Sequence, residues 1–282
     1  MGVKLMIDSA SDISKSEADQ LGIIMIPMEV RFGEEEYLDG VSLMPNEFYE
    51  KLIENTELPK TSQINPFRFQ EEFEKVISAG DELVVITISS KLSGTYRSAM
   101  EASKEYEEKV FVVDSLNACI GERLLCQYAM RLVEQGLSAD QIATELNEKK
   151  TKINLMAMLN TLKYLKKGGR ISAMTAFAGE MFSIKPVVGI VDGEVTMIGK
   201  AMGSKKGNNL LNSLVEKNGG IDFSMPYGVV WSGIDDSVLK KYVNDSSNLW
   251  ENHADNVPAY MIGSTIGTHI GPGAIGVAFF AK

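Results

Sequence analysis

The sequence is poor in the residues from which metal and redox sites are built. Two cysteines and two histidines occur in 282 residues, with no CxxC pair, so a transition-metal site is not expected. Cys119 and Cys126 stand seven apart in a stretch that reads as helix. That separation exceeds the ~7 Å between Cα atoms that a disulfide tolerates, so both are expected to pack in a reduced core, as in a cytoplasmic protein. No apolar run approaches the ~20 residues that span a bilayer. The opening MGVKLMIDSASD reads as a strand and a loop, without a secretory apolar region or cleavage site. Positive charge is also short: 28 Lys and Arg stand against 38 Asp and Glu, for a net charge of −10. An acidic surface repels nucleic-acid phosphates and disfavours anionic lipid, which leaves no nucleic-acid partner and at most transient membrane contact.

Several catalytic signatures are missing as well. Neither GxxxxGK[ST] nor GxGxxG occurs, and no paired acidic motif waits for magnesium, so nucleotide binding is disfavoured and no cofactor is expected. The hydrolase elbow GxSxG is replaced by Ile88-Ser89-Ser90-Lys91-Leu92-Ser93-Gly94.

What is present reads as an α/β chain. Val3–Ile7, Ile23–Arg31, Leu83–Ile88 and Val110–Val113 are short, almost continuously apolar and rich in valine and isoleucine, as strands buried on both faces are. Helical patterns over Ser14–Leu21, Glu47–Glu54, Pro66–Ser78, Ser93–Tyr106 and Cys119–Gln135 alternate with them. The alternation predicts an N-terminal parallel sheet flanked by helices. Near residue 150 the pattern changes. After a capped helix over Leu137–Thr151, Asp192-Gly193 between two apolar runs marks a hairpin. YGVVWSG, AYMIGSTIG and AIGVAFFAK read as strands, with a helix over Ile234–Leu249 between the first two. We expect two domains, residues 1–150 with the parallel sheet and 151–282 with a mixed or antiparallel sheet and helices.

Polar groups collect where the parallel strands end: Asp8-Ser9-Ala10-Ser11-Asp12, Ser89 to Thr95, and Asp114-Ser115-Leu116-Asn117. Open α/β sheets bind ligands outside these strand ends. A further loop, Lys60-Thr61-Ser62-Gln63, precedes the helix that starts near Pro66. Hydroxyls beside a helix N-terminus suit one carboxylate or phosphate, although Thr61 and Ser93 also suit plain capping. His269 lies among Gly263, Gly267, Gly271 and Gly273, where tight turns and close backbone approach are expected. Arg170 follows Lys166-Lys167-Gly168-Gly169, beyond the helix stop that explains the lysines. Ser93, His269 and Asp114 also supply the residue types of a serine triad. A serine-dependent hydrolase or acyl transferase is therefore the competing reading.

The chain resembles the DegV family of bacterial proteins in Asp8-Ser9, Thr61-Ser62-Gln63, Ser89 through Tyr96, Asp114-Ser115, Leu165 through Ile171, Ile184-Lys185-Pro186 and Gly267 through Gly273. It departs from the family pattern at Ile64-Asn65 and at Asn117-Ala118-Cys119. The resemblance implies two α/β domains with a long-chain fatty acid held in an apolar slot between them. Thr61 and Ser93 would hold the carboxyl, with Ser62, the Gly94 backbone and His269 nearby. Arg170 and Thr268 would lie at the exposed head group or the partner. By the same resemblance the protein is a lipid-binding carrier, not itself an enzyme. It would present the carboxyl to an ATP-dependent fatty-acid kinase subunit, which makes an acyl phosphate for phospholipid synthesis. Leu155–Leu159, Met174–Phe182 and Ile262–Ile266 are the candidate slot lining, and the 15 methionines could let it adapt.

Overall fold

A computed structural model describes residues 2–106, 108–171 and 184–282. In chain order its elements are β1 (Val3–Asp8), α1 (Lys15–Leu21), β2 (Ile24–Ile26), β3 (Glu29–Phe32), β4 (Glu35–Leu38), α2 (Pro45–Glu54), β5 (Lys60–Ser62), α3 (Pro66–Ser78), β6 (Glu82–Thr87), α4 (Thr95–Ser103), β7 (Val110–Asp114), α5 (Cys119–Glu134) and α6 (Ala139–Lys149). There follow β8 (Ile153–Met158), α7 (Lys163–Lys167), β9 (Ile184–Val191), β10 (Glu194–Met202), α8 (Gly203–Lys217), β11 (Tyr227–Trp231), α9 (Ser237–Asp245), β12 (Ala259–Met261), α10 (Ser264–Ile270) and β13 (Ile275–Phe280).

The first half forms the expected parallel sheet, ordered β2-β1-β6-β7. Its central strands are buried on both faces, which is why they read as unbroken apolar runs. Local chemistry sets the helix starts. Ser14 accepts from Glu17 N–H, Asn65 accepts from Arg68 N–H with Pro66 at the first helical position, and Ser138 and Gln141 form a capping box.

The apolar run Ile23–Arg31 is not one strand. Pro27, which has no N–H for a ladder, ends β2. The next amide, Met28 N–H, donates to Ser9 Oγ. The chain then leaves the parallel sheet, and β3 pairs with β4 and β5 in a separate antiparallel sheet. Lys60-Thr61-Ser62 is thus a strand rather than a loop.

The second half builds a six-stranded sheet, ordered β10-β9-β8-β13-β11-β12, antiparallel except for β11 with β12. The Asp192-Gly193 hairpin joins β9 to β10 as expected, with both turn residues at positive φ. Helix α5 packs against β1 and β6 of the parallel sheet and against β8, β11 and β13 of the other. The same core therefore runs from Val84 and Ile86 to Leu155, Val230 and Phe280. A second core lies behind the six-stranded sheet, around Val187, Leu211 and Trp250. Alternation along β8 divides the two: Leu155 joins the first, and Met156 and Met158 the second.

The glycine-rich stretch after β12 is the largest departure from expectation. The strand read over AYMIGSTIG stops at Met261 and Ser264–Ile270 forms a helix, α10, while the turn expected of the glycines follows it at Gly271 and Gly273, both at positive φ. Gly267 lies within α10, where a Cβ would meet Phe48 at 2.5 Å and the Tyr49 hydroxyl at 2.8 Å. Glycine here allows α10 to press against α2. Among the described residues no helix is long and apolar enough to cross a membrane.

Candidate functional site

Three separate pieces of chain bring hydroxyl and imidazole groups to one place. Thr61 is held on β5, opposite Val30 of β3. Ser93 sits in the tight turn after β6, where Leu92 N–H and Ser93 N–H both donate to Ser89 O. His269 comes from the last turn of α10. Thr61 Oγ1 and His269 Nε2 are 2.9 Å apart. Ser93 Oγ lies 3.0 Å from Thr95 Oγ1, and Thr95 Oγ1 accepts from Ile64 N–H. Gln63 folds over the turn: its amide donates to Ser98 Oγ, and a Cβ on Gly94 would strike its Oε1 at 1.8 Å. The side chain of Gln63 therefore rests on the bare backbone of Gly94.

The electrostatics keep His269 neutral. Burial, with the Arg170 guanidinium adding to it, lowers its pKa from 6.5 to about 4. Its Nδ1 is buried, has no partner among the described residues and faces Gly168, where a Cβ would come within 2.2 Å. A neutral ring with Nε2–H would donate to Thr61, freeing the Thr61 hydroxyl hydrogen for an acceptor in front of it. Arg170 is tied down by its own backbone surroundings. Its Nε donates to Leu92 O, and its Nη1 donates to Gly168 O. The guanidinium is thereby fixed across the Ser93 turn.

Behind these groups opens a cavity of about 300 Å³, at the small end of the usual range for ligand sites. Thr61, Ser62, Ser93, Gly94, Arg170 and His269 stand among its lining. The remaining wall is mainly apolar and comes from both sheets and from α10. Ile88 and Leu92 contribute from one side, Leu155, Ala157, Val188 and Ile190 from the other. Leu155 and Ala157 alternate with Met156 and Met158, which face away, so among the described residues Met28 is the one methionine in the wall. Ile262 and Ile266 also line it, whereas Met174–Phe182 lies outside the described residues. The wall strands β9 and β10 are pinned at their turn: Ser89 Oγ donates to Gly193 O over 2.7 Å.

A buried acidic group fastens α10 to the first half of the chain. Asp39 accepts from Ser264 N–H, Ser264 Oγ and Thr265 N–H, and Asp12 Oδ1 accepts from Gly263 N–H. Asp8 accepts from Ala10 N–H and Ile88 N–H. Burial raises both Asp8 and Asp12 from 3.8 to about 7, against the lowering effect of their hydrogen bonds. Burial likewise pushes Glu122 well above the carboxylate range. Arg123, nearly buried, forks onto Glu17 and lies 4.0 Å over the Tyr260 ring. Cys119 and Cys126 are free and buried.

The triad geometry is not assembled. His269 bonds Thr61, not Ser93, and among the described residues no carboxylate meets its Nδ1. Asp114 accepts instead from Ser90 N–H and Leu116 N–H. Thr268 is not brought into the cavity lining either: its hydroxyl donates to Ser264 O within α10. Sequence reasoning missed Arg170's anchorage on the Ser93 turn and the wall residues from β9 and β10. The Asp192-Gly193 signal located that hairpin without showing which face it would turn inward.

The same architecture is found in known proteins. A DegV domain-containing protein of Clostridium perfringens is 34% identical over 288 residues, covering 98% of this chain and 96% of the relative. A solved DegV family protein from Thermus thermophilus, described for its fatty acid binding, is 28% identical, superimposes with a TM-score of 0.87 and is covered over 100% of both chains. DegV, a fatty acid binding protein from Bacillus subtilis, is 28% identical with a TM-score of 0.84, again over 100% of both chains. The model of the family described as uncharacterised protein, DegV family, matches residues 2–282, and the chain belongs to the DegV family.

Proposed function

We propose that this protein binds a long-chain fatty acid in the cavity between its two large sheets, tail inward and carboxyl against Thr61 and Ser93. In this reading it does not transform the acid. It presents the carboxyl to a separate ATP-dependent kinase that forms the acyl phosphate. The observation that carries the reading is the joining of an apolar cavity to a mouth of uncharged hydroxyls backed by a neutral imidazole. The fatty acid binding described for solved relatives from Thermus thermophilus and Bacillus subtilis supports it.

The energetics suit a carrier. Burying about sixteen carbons at ~0.8 kcal/mol per CH₂ gives roughly 12 kcal/mol gross. A hydrogen bond to a charged group adds about 1.5–3 kcal/mol net. The tail supplies most of the affinity, and the hydroxyls decide which end faces out. In the site we propose, His269 Nε2–H donates to Thr61, and the Thr61 hydroxyl, the Ser93 hydroxyl and Gly94 N–H turn to the carboxylate. Ser62 closes the rim. Arg170, fixed beside the Ser93 turn, is suited to the kinase or to the charge of the acyl phosphate.

His269 bonds Thr61 rather than Ser93, and Asp114 is engaged by Ser90 N–H and Leu116 N–H, which favours this reading over hydrolysis. The test compares wild type with Ser93→Ala and Thr61→Ala. Carriage is supported if both variants fold, lose acid affinity, and none of the three proteins turns over acyl esters. Ester turnover by wild type that vanishes in Ser93→Ala would overturn it in favour of the enzyme.

A further inference from the structure

Two consecutive glycines end α7, and the backbone accounts for one of them. Gly169 has a φ of +70°, the left-handed turn in which helices commonly stop, and a Cβ there would meet nothing within 4 Å. Gly168 has a φ of −74° and a ψ of −11°, a helical conformation that any residue adopts. What excludes a side chain at Gly168 is His269. A Cβ would stand 2.2 Å from its Nδ1 and 2.9 Å from its Cε1, so the imidazole rests on the bare Cα. The relation is reciprocal. Gly271, just past the end of α10, would bring a Cβ within 2.2 Å of the Tyr164 ring. Each helix thus seats a ring of the other on a glycine, and Leu165 and Ile270 pack in one apolar cluster beside them. Gly168 O also accepts from Arg170 Nη1 over 2.6 Å, so one residue borders both the imidazole and the guanidinium.

We propose that Gly168 is a positioning residue for the carboxyl site: its missing side chain seats His269 so that Nε2 meets Thr61, which leaves the Thr61 hydroxyl to donate to the acid. The inference rests on the fatty-acid reading above and deepens it. The mechanical argument is short. Nδ1 and Nε2 lie on opposite sides of a rigid ring, one against Gly168 and the other 2.9 Å from Thr61 Oγ1. A methyl group at Gly168 overlaps the Nδ1 side, and the ring can yield only by moving Nε2 as well. Thr61 then loses the partner that directs its hydroxyl, while the apolar wall deeper in the cavity is left as it was.

The test measures the affinity of a C16 acid and of its methyl ester by calorimetry on the delipidated full-length protein. Gly168→Ala should bind the acid roughly three- to tenfold more weakly than wild type, the value of one net hydrogen bond, and the ester about as tightly. Gly169→Ala strains the neighbouring turn but meets no side chain, so it should keep the wild-type preference for acid over ester. In a His269→Ala background, Gly168→Ala should cost no further acid affinity. Followed by NMR, the His269 ring pushed off its seat should titrate above its value of about 4. An equal loss of acid and ester in Gly168→Ala, the same loss of preference in Gly169→Ala, or a loss that persists undiminished in His269→Ala overturns the inference and leaves the fatty-acid reading standing. So does a His269 that titrates as in wild type. Should Gly168→Ala fail to fold, the double variant with His269→Ala, in which the overlap is gone, should fold as His269→Ala does, and a double variant that stays unfolded overturns the inference. Absence of heat with both acid and ester in wild type overturns both readings.

Discussion

Thr61 and His269, 208 residues apart in the chain, meet through a 2.9 Å contact between Oγ1 and Nε2. That contact ties the small β3–β4–β5 sheet to α10 at the mouth of the cavity. With the hydrogen on Nε2, the contact leaves the Thr61 hydroxyl to donate elsewhere. Thr61→Val keeps the shape and suits the strand, but removes the donor. Affinity for a long-chain acid should fall roughly 10- to 100-fold, the value of one hydrogen bond to a charged group. Affinity for the matching methyl ester should barely change. Calorimetric titration of both ligands checks this, and an equal loss for acid and ester would place the carboxyl elsewhere.

His269 should remain neutral through the physiological range, because burial and Arg170 hold its pKa down to about 4. The sign follows from linkage. A folded pKa below the unfolded 6.5 gives stability that is present above pH 6.5 and lost as pH falls through about 4. Arg170→Gln removes the smaller of the two causes, so the pKa should rise while staying below 6.5. Imidazole proton shifts followed by NMR across pH 3 to 8 check both values. A His269 that titrates identically in wild type and Arg170→Gln would remove the assigned coupling.

Asp12 should act in the opposite sense. Its folded pKa is raised from 3.8 to about 7, so its contribution is full below about 3.8 and is lost as pH rises through about 7. Asp12→Asn preserves an acceptor for Gly263 N–H and abolishes the titration. The fall in unfolding free energy between pH 5 and pH 8 should be shallower in Asp12→Asn than in wild type. Urea unfolding at several pH values measures it, and parallel curves would contradict the assignment.

Gly267→Ala should destabilise the fold without touching the carboxyl site. The added methyl group meets Phe48 and Tyr49, both fully buried and edge-to-face with each other. Overpacking of this kind costs about 1–3 kcal/mol. The loss should appear in urea unfolding, and no loss at all would mean that α10 and α2 are less closely packed than described.

The parallel sheet was legible in the sequence because strands buried on both faces carry continuous apolar runs, as in Leu83 through Ile86. The β9–β10 hairpin was legible because Asp192-Gly193 tolerates the positive φ that its turn demands. Ser93 and Thr61 stood out as hydroxyls gathered at chain reversals, and they do line one cavity. The β3–β4–β5 sheet was not legible, because strands of three or four residues carry too little alternation. Nor was α10. Its Ser-Thr-Ile-Gly-Thr-His-Ile sequence has weak helix propensity, and tertiary contacts hold it. Asp39 caps its start from 225 residues away, and Gly267 lets it settle on α2. The meeting of Thr61 with His269 depends on that helix and was hidden for the same reason.

The central claim is that the cavity between the sheets is a seat for an acyl chain, and native mass spectrometry of the purified protein tests it most directly. The expected spectrum shows the intact chain with an adduct of long-chain fatty-acid mass, non-covalent and lost on denaturation. Protein of bare chain mass that still fails to take up an added C16 or C18 acid would contradict it.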